Sequence, residues 1–304
     1  MPKPNLFLFG AAKCGTTSLH TYLEQHPEIC MSRVKEPHHF GSDLNLGEGW
    51  HIPDRSEYEA MFDGAESLPR RGESSVFYMI SENAAREVAD YADGDARVIA
   101  MLRDPVSAVW SLHWQFIKSA NEDIEDLAAA LDAEADRAEG RRIPPSVHNA
   151  QALRYINTYS YEPHLRRIIG AFGRGRGRNE LFEDLKSDPA ALYRRVLGFL
   201  GVDESFAPEF EVVNPAVPVR NLALRRALAR APKLKKLWGK VPNQIRGGVG
   251  KTAASMLGGD QTRPPLKPDT RARLVDTFSN QIESLEQLLG RDLNVWRDAW
   301  NRSP

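Results

Sequence analysis

Short, unbroken apolar runs alternate along the chain with stretches whose apolar residues recur three and four positions apart. Leu6, Phe7, Leu8 and Phe9 form one run, and Val98, Ile99, Ala100, Met101 and Leu102 form another. Runs of this length, apolar on both faces, predict strands buried in a parallel sheet. Residues 19–25 follow the first run with a helix-compatible pattern. Pro105 follows the second and suits a first helical turn, where the N–H it lacks would go unpaired. Farther on, Leu274, Phe278, Ile282, Leu285 and Leu289 recur at helical spacing and read as the core face of a helix within 266–289. The pattern predicts an α/β protein with a P-loop-like central parallel sheet, helices on both faces and a helical closure over 266–300. The chain has 304 residues, of which 41% are hydrophobic, enough for one domain over 1–304 with a sizeable core.

The first apolar run leads into Gly10-Ala11-Ala12-Lys13-Cys14-Gly15-Thr16-Thr17-Ser18. A strand, a glycine loop and a helix in that order aim backbone N–H groups and a helix N-terminus at one point, which favours a phosphate or sulfate. Thr16, Thr17 and Ser18 add hydroxyl donors, and Lys13 adds a charge that can follow the anion during reaction. The glycine spacing is that of the nucleoside-triphosphate loop G-x-x-x-x-G-K-[ST], but Thr16 stands where that motif has lysine, and the lysine has moved inside the loop. A strand-to-helix turn without a ligand would explain the glycines alone; the Lys-x-Gly-Thr-Thr-Ser cluster favours an anion site. Cys14 reads as a tolerated small residue rather than a nucleophile.

A second site-like segment ends the other run. Arg103-Asp104-Pro105 stops the strand, and the following helix carries Ser111 about two turns on. In doubly wound sheets ligands gather at the carboxyl ends of strands, where the Arg103 guanidinium and the Ser111 hydroxyl can together hold a second phosphate. The plain alternative is that Arg103 pairs with Asp104 or caps the helix.

Together these segments resemble the sulfotransferases that use 3'-phosphoadenosine 5'-phosphosulfate (PAPS). In that family the lysine-containing loop holds the 5'-phosphosulfate, which the resemblance assigns here to Ala12, Lys13, Cys14, Gly15, Thr16, Thr17 and Ser18. A strand-ending arginine and a serine eight positions later hold the 3'-phosphate, as Arg103 and Ser111 would here. His26-Pro27 closing the first helix, Lys35-Glu36-Pro37-His38-His39-Phe40, and Phe182-Glu183-Asp184-Leu185 with Asp188-Pro189 are similar to further segments of the glycan-type and bacterial enzymes. The resemblance implies PAPS as co-substrate, no metal, and Glu36 as the general base. His38 and His39 are rivals, since other branches use histidine, and a surface ion pair of Glu36 with Lys35 is the structural alternative. The acceptor it implies is a hydroxyl of a carbohydrate, glycolipid or small metabolite, with amines left open. A magnesium-ATP kinase-like enzyme and a non-catalytic nucleotide-binding protein of the same fold are the competing readings; the first lacks its Gly-Lys-[Ser/Thr].

Two departures qualify the resemblance. Glu73-Ser74-Ser75 stands where glycan enzymes often carry Glu-Lys-[Ser/Thr], which argues against a strongly anionic acceptor. Where a hydrophobic strand is expected before Leu181, residues 173–180 carry three glycine-arginine pairs followed by Asn179 and Glu180, and read as an exposed loop that shortens the strand.

The net charge of −1 gives no general reason for nucleic acid binding, and neither the eight histidines nor the two cysteines show zinc-ligand spacing. No signal-peptide pattern or bilayer-length apolar run is present, so a bacterial, cytoplasmic enzyme is expected, its oligomeric state open. Charge is uneven. Residues 121–139 are acidic and alanine-rich and read as a solvated helix, whereas 212–259 contain no acidic residue. That basic segment can grip the nucleotide through Arg220, meet an acidic acceptor, rest on an anionic membrane surface through 220–240, or be a plain solvated face; part of it is expected to order on ligand binding. Within it, Arg246-Gly247-Gly248-Val249-Gly250-Lys251-Thr252 resembles the deviant loop of ParA-type ATPases, but Pro242 and its polar neighbours make a poor preceding strand.

Overall fold

The computed structural model describes residues 2–47, 49–211 and 263–302. Arg220, the rest of the basic segment 212–259 and the glycine-rich stretch 246–252 lie outside the described residues. Five strands, β1 (Leu6–Leu8), β2 (Ile29–Met31), β3 (Arg70–Ser74), β4 (Arg97–Leu102) and β5 (Gly177–Leu181), form one sheet in the order β2-β3-β1-β4-β5, with every neighbouring pair parallel. The helices are α1 (Thr16–Glu24), α2 (Arg55–Glu59), α3 (Ala84–Tyr91), α4 (Pro105–Ser119), α5 (Leu127–Asp132), α6 (Glu134–Ala138), α7 (Tyr155–Tyr159), α8 (Tyr161–Phe172), α9 (Phe182–Ser187), α10 (Pro189–Leu200), α11 (Pro268–Leu289) and α12 (Asn294–Asn301). They flank the sheet in the P-loop-like arrangement. No helix among the described residues is long and apolar enough to cross a membrane.

The two apolar runs are the interior of this sheet. β1 lies between β3 and β4, with Leu6 opposite both Gly72 and Arg97, and Leu6, Phe7 and Leu8 are wholly buried. Each such side chain removed from water contributes about 1.5–3 kcal/mol. Pro105 opens α4 with Asp104 as its cap, the carboxylate accepting from the Val106 and Ser107 amides at 3.1 and 3.2 Å. The α11 stripe buries Leu274, Phe278, Ile282 and Leu285; at its end Leu288 is the buried residue and Leu289 is only half-buried.

Two stretches differ from their sequence reading. The glycine-arginine run contains most of β5, which pairs with β4 from Val98↔Gly177 to Leu102↔Leu181. Apolar alternation is missing because arginines cover that face: the Arg97 and Arg178 guanidiniums lie over the Phe199 ring at 5.4 and 5.9 Å. Residues 121–139 hold two short helices, α5 and α6, instead of one solvated helix. Glu122 and Arg137, in that acidic stretch, form a fully buried ion pair at 2.8 Å, and the Tyr155 hydroxyl donates to the same carboxylate at 2.9 Å. Removing one member of such a pair strands the other charge in the interior. Glu122→Gln is therefore expected to lower unfolding free energy by about 3–5 kcal/mol in urea denaturation; an unchanged midpoint would show that the pair is hydrated.

Candidate active site

The loop between β1 and α1 extends the pairing of its strand with β4: the Phe9 amide donates to Ile99 O at 3.0 Å, and the Ala11 amide to Met101 O at 2.7 Å. Gly10 has φ 105°, and a Cβ there would lie 2.4 Å from the Val76 carbonyl oxygen, so no other residue fits. Gly15, at φ 86°, is the N-cap of α1 and offers no side chain to its first-turn amides. Where α4 uses Asp104 to satisfy such donors, α1 leaves them to whatever the loop holds. Thr16 is buried, and Thr17 and Ser18 are half-buried. The backbone carbonyl of Ala12 is fixed by the Tyr159 hydroxyl at 2.9 Å. Cys14 points inward, 3.6 Å from the Tyr161 hydroxyl, and burial pushes its thiol up to about 12, which leaves it inert as a nucleophile.

Arg103, at the end of β4, reaches this loop. Its Nη1 donates to the Lys13 carbonyl oxygen at 3.1 Å, its guanidinium lies 4.7 Å from the Phe182 ring centroid, and its own carbonyl accepts from Tyr161 at 2.9 Å. It does not pair with Asp104, whose Oδ1 also accepts from the Trp300 indole of α12 at 2.6 Å. Burial, then Lys118, then Arg103 hold the Lys13 ammonium below the usual lysine range, opposed more weakly by Cys14 and Glu36. Ser111 is half-buried on α4. It shares a stripe of that helix with Lys118, seven residues on, whose charge is felt at Lys13. Lys118 escaped the sequence reading, although its spacing from Ser111 was a usable signal.

The segment carrying Glu36 lies along the end of β3, with the Glu36 amide donating to Ser74 O at 2.9 Å. Its side chain is about one-third exposed and pairs with Lys35 at 2.5 Å, so the ion-pair alternative is realised; it leaves the carboxylate at the surface of the site and electrostatically coupled to Lys13. His38 is different. It is 3% exposed, stacks on Phe77 at 5.2 Å, and is held down to about 4 by burial, so it is neutral and weakly basic near pH 7. His39 stacks on Tyr58 at 4.2 Å and its Nδ1 bonds the Ile52 carbonyl at 2.7 Å. Ser74, at the position of the family's lysine, bonds His20 Nδ1 through its hydroxyl at 2.8 Å.

The two loops around residues 43–58 and 143–160 meet beside this segment. Leu46 bridges to Asn149, the Gly47 amide donates to His148 O at 3.0 Å, and the Trp50 ring stacks on His148 at 3.8 Å while 47% exposed. The Ile52 amide, donating to Pro37 O at 2.8 Å, ties this rim to the residue after Glu36.

No family model matches the chain. It is 33% identical to the membrane-associated sulfotransferase kil1 of Dictyostelium discoideum over 103 residues, 34% of this chain and 21% of that protein. It is 31% identical to carbohydrate sulfotransferase 15 of Homo sapiens over 173 residues, 42% of this chain and 30% of that one. A 24% identical match to the mouse bifunctional heparan sulfate N-deacetylase/N-sulfotransferase 4 covers 96% of this chain and 31% of that protein. The chain thus spans between a fifth and a third of the length of these relatives. Among solved structures, a sulfotransferase from Alicyclobacillus acidocaldarius superposes with a TM-score of 0.72 at 26% identity, covering 98% of this chain and 100% of that one. In sequence over part of its length, and in structure over nearly all of it, the chain is therefore similar to sulfotransferases.

Proposed function

We propose that the chain transfers the sulfuryl group of PAPS to an acceptor hydroxyl on a carbohydrate, glycolipid or small metabolite. The observation that carries this reading is the direct contact of Arg103 with the backbone of Lys13, which joins the two anion-binding segments into one cationic surface. The uncapped first turn of α1 and the Lys13 ammonium fit a 5'-phosphosulfate; Arg103 and Ser111 fit a 3'-phosphate. Sulfuryl transfer is an in-line displacement in which the acceptor oxygen bonds to sulfur as the bond from sulfur to the bridging phosphate oxygen breaks. Glu36 takes the hydroxyl proton, and Lys13 with the loop amides meets the charge left on the bridging oxygen. His38, buried and weakly basic, packs behind the base rather than replacing it. The Trp50–His148 stack offers the acceptor an exposed aromatic rim, suited to the apolar face of a sugar ring.

Calorimetric titration separates this reading from its competitors. Tight binding of 3',5'-ADP without metal, with 5'-AMP much weaker, is the expected result. A preference for magnesium-ATP would overturn it in favour of a kinase-like enzyme.

A further inference from the structure

Glu73 has no place in the reaction as written, yet its carboxyl is the centre of a buried polar cluster beneath the site. The segment above it holds two non-glycine residues in left-handed backbone, Glu36 at φ 62° and His38 at φ 44°. Such conformations persist only where the surroundings over-determine them. Here every second amide is anchored: Glu36 N–H to Ser74 O at 2.9 Å, His38 N–H to Ser75 Oγ at 3.0 Å, and Phe40 N–H to the Tyr78 hydroxyl oxygen at 3.1 Å. Two of these three acceptors are hydroxyls. A hydroxyl that accepts an amide must send its own hydrogen elsewhere. Ser75 sends it to Glu73 Oε2 at 2.8 Å, Tyr58 donates to Oε1 at 3.3 Å, and Tyr78 faces the same carboxyl, which is wholly buried.

We propose that Glu73 is a positioning residue: as an acceptor-only carboxylate it orients the Ser75 hydroxyl so that the His38 amide stays anchored and Glu36 is held beside Lys13. The proposal rests on Glu36 being the base. It also predicts a pH response. Burial pushes Glu73 up to about 7; the hydroxyls of Ser75, Tyr78 and Tyr58 oppose this, and the Glu36 charge adds to it. The other titratable side chains around the cluster are His38, whose amide Ser75 anchors, His39, stacked on Tyr58, and His20, which bonds the Ser74 hydroxyl at 2.8 Å. On protonation Glu73 becomes a donor and competes with Ser75, so the anchor is complete above that pKa and weakens as pH falls through it.

The test compares Glu73→Gln, Ser75→Ala and Ser75→Thr in the full chain. Transfer of labelled sulfuryl groups is read alongside hydrogen exchange at the His38 amide with 3',5'-ADP bound. Glu73→Gln and Ser75→Ala are each expected to lower kcat about 10–100-fold, with 3',5'-ADP affinity unchanged. They should also speed His38 amide exchange and remove the acid limb near pH 7. Ser75→Thr, which keeps the hydroxyl, should restore both readouts, and the double variant should be no worse than either single one. Wild-type kcat and exchange in Glu73→Gln would overturn the proposal. So would slow exchange in Ser75→Ala, which decides the matter if the Gln variant does not fold. Full activity of Glu36→Gln would instead remove Glu36 as base, and the exchange readout would still decide whether Glu73 anchors the segment.

Discussion

Lys13→Ala is expected to lower kcat by about 10²–10³-fold, the scale on which one well-placed donor to a developing oxyanion contributes. Binding of 3',5'-ADP should weaken far less, because the α1 amides and Arg103 remain. The reason lies in the position of the lysine. Inside the loop, half-buried and crowded by Lys118 and Arg103, its ammonium is already short of solvation. A nearby charge appearing on the leaving oxygen relieves that state, so the interaction is stronger in the transition state than in the ground state. The same depression gives a pH signature: turnover should fall as pH rises through a lysine pKa below the usual range. Single-turnover kinetics check both points, and near-normal rates in Lys13→Ala would remove its assigned role.

Glu36→Gln is the second large effect, an expected loss of roughly 10²–10⁴-fold in kcat with nucleotide affinity intact, since a positioned general base supplies about that factor. His38→Ala and His39→Ala are the controls. With His38 buried and depressed to about 4, its loss should act through packing against Phe77. If Glu36→Gln stays active and either histidine variant is dead, the base is that histidine.

The interior of the fold was legible because parallel strands buried on both faces leave continuous apolar runs, as at Leu6 to Leu8 and Val98 to Leu102. The anion loop was legible because glycines and a lysine at that spacing have few other uses. The edge of the sheet was not. β5 hides its apolar burden under arginine stems and guanidiniums, so Arg178 reads as loop although it sits in a strand. Residues 121–139 misled for a related reason: charge counts suggest solvent, but Glu122 and Arg137 satisfy each other in the interior, and no one-dimensional pattern marks which charges will meet. The cluster around Glu73 escaped notice because its members come from α2, β3, the turn at Val76–Met79 and the segment after Lys35, and only their convergence gives them meaning.

The pairing of Leu6 with Arg97 has one more consequence. Arg103 directly follows β4 and Lys13 lies five residues beyond its neighbour β1, so the spacing between the two proposed phosphate seats follows strand alignment. A slip of one residue would carry Arg103 about 3.3 Å along the sheet and turn its side chain to the opposite face. On the proposed reading the sheet interior acts as a ruler, and a nucleotide with its phosphates at any other separation would not reach both seats.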